Sequence, residues 1–171
     1  MTRTIQTAIN LFPWILGSAP FNVDVQIWPD LREAHDAICN QGISQAEMAR
    51  KFPAFNLTEC SEEWDYPPYT IEDATARAES VRHRLKEASK RYRNILIITH
   101  RGFLVFLVQG DRYEVCETRS YRFCEATETE IESKRMGFHI ETNDPQDFGP
   151  TVLLPYQAHS EPDETLEISV E

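Results

Sequence analysis

The sequence predicts an α/β fold, a sandwich built on a largely parallel sheet, and three observations carry that expectation. Ile95 to Thr99 is a continuous apolar, β-branched run, the pattern of a strand covered on both faces. It is preceded by a long stretch with helical periodicity and followed by Phe103 to Val108, which is apolar all round and reads as a buried helix. Val23 to Ile27 alternates apolar and polar residues, as a strand with one buried face does. Strands alternating with helices build parallel sheets.

The elements follow in chain order. Thr4 to Phe12 sets Ile5, Ala8, Ile9 and Phe12 on one helical face, and Pro13 ends the pattern. The Val23–Ile27 strand leads into a loop carrying Leu31, Arg32 and Glu33. Ser44 with Glu47 three residues on has the form of a capping box and opens a short helix to Lys51. The clearest helix runs from Thr70, paired with Asp73 as its N-terminal cap, to about Tyr92. Its Ile71, Ala74, Ala78, Val81, Leu85, Ala88 and Tyr92 recur at spacings of three and four, a narrow stripe for packing on one side. Arg77, Arg82, Arg84, Lys86, Lys90, Arg91 and Arg93 read as its exposed, charged face, interleaved with acids. Tyr121–Phe123 and Thr151–Leu154 are further strand candidates.

Composition bounds what the chain does. Its 171 residues, 41% hydrophobic and 26% charged, suit one soluble domain. A net charge of −11 argues against nonspecific binding to nucleic acid, and no apolar run reaches membrane-spanning length. The N-terminus lacks a charged-then-apolar export signal, and four cysteines without a CxxC pair read as reduced, structural thiols. A cytoplasmic protein is expected. Residues 157–171 hold five acids and no lysine or arginine, so residues 1–155 are expected to form the domain and 156–171 an acidic disordered tail.

His100, Arg101 and Gly102 interrupt two apolar runs just past the end of the Ile95–Thr99 strand. In open α/β sheets ligands bind at that rim, where the next helix presents free N–H groups. The polar pair there faces either a crevice or a structural helix cap. Cys39 near His35 lacks an oxyanion hole for thiol chemistry, and Asp24, Asp30, Glu33 and Asp36 read as solvated acids rather than metal ligands. Trp64, Tyr66 and Tyr69 in a Pro-rich stretch either line an entrance or pack over the core.

The run Ile97-Ile98-Thr99-His100-Arg101-Gly102-Phe103-Leu104 resembles the second-histidine motif of the histidine phosphatase superfamily, the phosphoglycerate mutase-like proteins. Arg3-Thr4-Ile5-Gln6-Thr7-Ala8, Leu31-Arg32-Glu33 and Cys116 to Phe123 are similar to further family segments, fungal-type members included, in the family's order. The resemblance implies a three-layer α/β/α sandwich acting on small phosphorylated molecules without metal or cofactor. It casts His100 as the second histidine, Glu33 as the proton donor, and Arg3 with His100 and Arg101 as the phosphate-binding set. The family nucleophile is a histidine in an R-H-G motif at the end of the first strand, and no R-H-G occurs in residues 1–171. An incomplete N-terminus and a trimmed, reused domain both fit. The expectation is a phosphomonoester-binding, catalytically silent family protein, with a non-catalytic anion-binding module or a cofactor-free isomerase or cyclase as alternatives.

Overall fold

Two helices tied together by arginines organise the structure. In the computed structural model, which describes residues 1–16, 23–35, 37, 40, 42–64, 69–124 and 128–156, the longest helix is α3 (Ile71–Ser89). The Thr70 hydroxyl accepts from the Asp73 amide at its start, and Ala74, Ala78, Val81 and Leu85 are buried along its stripe. They pack on Phe103, Val105, Phe106 and Leu107 of α4 (Arg101–Leu107), and Leu153 closes the same core.

Arg77 and Arg82 overturn the reading of α3's cations as a solvated face, because both are buried. Arg82 is fully enclosed, and its Nη1 donates to the carbonyls of Phe106 at 2.8 Å and Leu107 at 3.2 Å. Those carbonyls end α4 and have no partner within the helix, so the guanidinium caps it. Glu79 holds the other side of Arg82 at 2.9 Å, leaving the buried charge paired. Burial pulls the Arg82 pKa down, and hydrogen bonding to Glu79 opposes that pull.

A second core gathers around α1 (Thr2–Leu11) and α2 (Gln45–Lys51). Ile5, Met48, Phe52, Leu57, Cys60 and Trp64 are buried together there. The capping box at Ser44 and Glu47 is formed. Trp64 is 4% exposed and donates from its indole nitrogen to the Ile43 carbonyl, so it packs over this core and not at an entrance. Cys60 and Cys124 are buried free thiols. Cys39, Tyr66, Asp36 and the tail from 157 lie outside the described residues.

The described strand pairing is antiparallel. β1 (Tyr121–Phe123) pairs with β4 (Leu153–Pro155), and β2 (Met136–Phe138), which follows α5 (Glu128–Arg135), pairs with β3 (Pro145–Asp147). The expected strands Val23–Ile27 and Ile95–Thr99 join neither sheet. They do run side by side in the same direction. The Tyr92 hydroxyl donates to the Asp24 carboxylate, and seven positions further along both segments the Thr99 hydroxyl donates to the Leu31 carbonyl at 2.7 Å. An open slot of about 400 Å³ lies between them, which is why they form no ladder with each other. The chain is α/β, and the parallel sheet is not among its described pairings.

Candidate functional site

His100 occupies the N-cap position of α4 with extended backbone, at the end of the apolar run that begins at Ile95. It is only 8% exposed. Burial above all, with the nearby Met1 α-ammonium and Arg3 guanidinium acting in the same sense, lowers its pKa from 6.5 to about 4. The imidazole is therefore neutral at pH 7. Its Nε2 lies 3.4 Å from the Met1 ammonium nitrogen, which has only protons to offer. Nε2 thus accepts, and Nδ1 carries the ring proton. That proton faces Glu33, whose Oε2 is 4.0 Å from Nδ1.

Glu33 is placed by its backbone. Arg77 reaches from α3 to donate to the Asp30 carbonyl at 3.0 Å and the Arg32 carbonyl at 3.2 Å. The Asp73 carboxylate anchors the same guanidinium at 2.8 Å, and the guanidinium carbon sits 4.8 Å from the centre of the Phe103 ring. With Thr99 holding Leu31, the loop is pinned from two sides. Oε1 of Glu33 accepts from the Ala34 amide at 2.8 Å, which turns the carboxylate toward α4.

Gly102 allows that approach. A Cβ on it would lie 2.4 Å from Glu33 Oε1 and 2.4 Å from His35 Cδ2, closer than nonbonded carbon and oxygen tolerate. Glu33 and His35 thus close over the first turn of α4. His35 Nε2 is 3.3 Å from Glu141, which also pairs with Arg112 at 3.2 Å, so the rim is joined to the β2–β3 connection.

Of the expected site residues, the structure brings Glu33 and His100 together and sets the Arg3 charge close enough to act on His100. Arg3 itself is exposed and donates to the Asn40 side chain at 2.8 Å. Arg101 is exposed on the first turn of α4. Arg77, Thr99 and His35 were not expected at the site. Among the described residues no group of three or more His, Cys, Asp or Glu is placed to hold a metal ion.

His100 at the start of α4 thus lies near the Glu33 carboxylate of a loop, with the Arg3 guanidinium of α1 close enough to act on it. The profile of the histidine phosphatase superfamily (branch 1) matches residues 1–144. The chain belongs to the histidine phosphatase superfamily. No curated protein and no solved structure matches it. The match covers α1, the Glu33 loop, α3, α4, β1 and β2, so Arg3, Glu33, His100 and Arg101 all lie inside it. No helix among the described residues is long and apolar enough to cross a membrane.

Proposed function

We propose that residues 1–171 bind a small phosphomonoester at the His100–Arg3 rim and do not turn it over. The observation that carries this reading is the His100 environment: a buried imidazole with a depressed pKa, flanked by the Met1 ammonium and the Arg3 guanidinium. Crowded cations with one exposed guanidinium favour an anion with several acceptor oxygens, and a phosphate dianion supplies three. Arg101, exposed on the same turn, joins as a further ligand for that dianion. Glu33 supplies a carboxyl beside the leaving-oxygen side. Silence toward turnover rests on the missing histidine nucleophile, since no R-H-G occurs in these residues. The three-layer sandwich with a largely parallel sheet belongs to the same proposal, supported by the parallel course of the Asp24–Leu31 and Tyr92–Thr99 segments.

Inorganic phosphate titrated into the protein, followed by the His100 ring signals, tests binding. Saturable shifts are expected, with Arg3→Ala and His100→Ala each weakening binding about tenfold, the scale of one charge-assisted hydrogen bond. Incubation with p-nitrophenyl phosphate tests silence: release of p-nitrophenol that His100→Ala abolishes would overturn it. A second reading, acid–base chemistry on an unphosphorylated substrate, is favoured by one feature, the neutral His100 beside the Glu33 carboxyl. Phosphate leaving every His100 signal unmoved would select it.

A further inference from the structure

The β2–β3 hairpin straddles α4 lengthwise, and its turn reaches the site. At the C-terminal end of α4, Gln146 of β3 is buried and its side-chain amide donates to the carbonyls of Val105 at 3.3 Å and Phe106 at 3.5 Å. The buried His139 ring packs there as well, 4.7 Å from the centre of the Phe106 ring. His139 also closes the turn. Its amide donates to the Asp144 carbonyl at 2.8 Å, its carbonyl accepts from the Asn143 amide at 2.7 Å, and its Nδ1 accepts from the Thr142 amide at 3.3 Å. Asn143 takes the left-handed conformation, φ 61°, which asparagine tolerates in a tight turn.

Glu141 stands in the middle of that turn, on backbone fixed to α4 through His139. Its carboxylate faces the other end of the helix. Oε2 lies 3.3 Å from His35 Nε2, and Oε1 lies 3.2 Å from the Arg112 guanidinium. His35 needs such a hold, because half of its side chain is exposed and exposed side chains change rotamer freely. Its ring nevertheless shares with Glu33 Oε1 the space that Gly102 leaves open. A ring swung out to solvent would give Glu33 room to leave His100, whose Nδ1 is 4.0 Å from Glu33 Oε2.

We propose that Glu141 is a positioning residue of the rim site: through His35 it confines the Glu33 carboxylate beside His100. Arg112 keeps the Glu141 carboxylate turned to that contact. The hairpin thereby grips both ends of α4 and sets the geometry at its start.

The first readout is the His100 ring signal in phosphate-free protein. Glu141→Ala should move it, together with the Gly102 amide signal, while the urea midpoint stays that of the parent, because partly exposed ion pairs add little to stability. Glu141→Gln, which keeps an acceptor for His35, should move it less. In a His35→Ala background Glu141→Ala should add nothing, since its effect runs through that ring. Phe138→Ser, on the exposed face of the hairpin, should leave the His100 signal in place. The second readout is phosphate affinity, expected to fall several-fold in Glu141→Ala, and it alone rests on the phosphate reading.

A His100 signal unmoved by Glu141→Ala would overturn the proposal. So would an equal shift in the His35→Ala background, or the same shift in Phe138→Ser, which would make the hairpin a merely structural support. If Glu141→Ala unfolds, Arg112→Gln serves instead: it should move the His100 signal in the parent and not in the His35→Ala background, and failure of either overturns the proposal. Phosphate failing to bind the parent, with the His100 shift intact, would sink the phosphate reading and uphold this one.

Discussion

Arg77 on α3 donates to the carbonyl of Arg32 at 3.2 Å, so the backbone that carries Glu33 hangs from a buried guanidinium one helix away. Removing the guanidinium leaves the Asp30 and Arg32 carbonyls unpaired and the Asp73 carboxylate without its closest cation. Arg77→Met is expected to cost about 3 kcal/mol of unfolding free energy, as broken buried pairs do. Urea unfolding would measure it. The same variant should weaken phosphate binding although Arg77 does not reach the ligand.

Gly102→Ala sets two effects against each other. Alanine gains about 1 kcal/mol of helix propensity over glycine. Against this, its methyl must displace the tips of the Glu33 and His35 side chains, both able to swing away. Stability is expected to change by less than about 1 kcal/mol. The geometry of the site should change far more, seen as a moved His100 ring signal and several-fold weaker phosphate binding.

His100 makes stability depend on pH. Its pKa lies at about 4 in the folded protein against 6.5 when free of the fold, so the unfolded chain binds the proton more tightly. The neutral ring's contribution is whole above pH 6.5 and is lost as pH falls toward 4, to a total of at most about 3 kcal/mol. Comparing unfolding free energies with His100→Asn at pH 7.5, 5.5 and 4 isolates it from the carboxylates. The difference between the two proteins should shrink as acid is added. Phosphate should raise the His100 pKa, because a bound dianion favours the imidazolium.

Arg82→Met should be among the most destabilising single changes, at about 3 kcal/mol or more. It uncaps the Phe106 and Leu107 carbonyls and strands Glu79. Arg82→Lys should recover only part of this, since one ammonium cannot fork between α4 and Glu79 as the guanidinium does. Thermal unfolding of the two variants would rank them.

Local signals were legible wherever their cause was local. The Ser44–Glu47 capping box, the Thr70 cap and the α3 apolar stripe needed only near neighbours, and each forms. Arg77 and Arg82 were misassigned by residue type, although the stripe's own spacing contained the answer. Arg77 lies three residues after Ala74 and four before Val81, and Arg82 lies four after Ala78 and three before Leu85. Helical position put them on the buried face; what made burial tolerable, the carbonyls of Arg32, Phe106 and Leu107, lies far off in sequence. That Glu33 lies near His100 followed from no local pattern and was expected only through the family resemblance, while His35 gave no signal beyond its proximity to Cys39. Ile95–Thr99 was readable as apolar and extended, but pairing is a property of two segments and no single run can specify it.

The two contacts that bracket the empty slot have one more consequence. Asp24 to Leu31 and Tyr92 to Thr99 are matched in count, so the walls keep step only while their lengths agree. Deleting a single residue from either would shear one wall by roughly 3.3 Å and turn its side chains to the opposite face. A change in the length of one wall is thus tied to the other: it breaks one of the two bracketing hydrogen bonds unless the other wall changes by the same count.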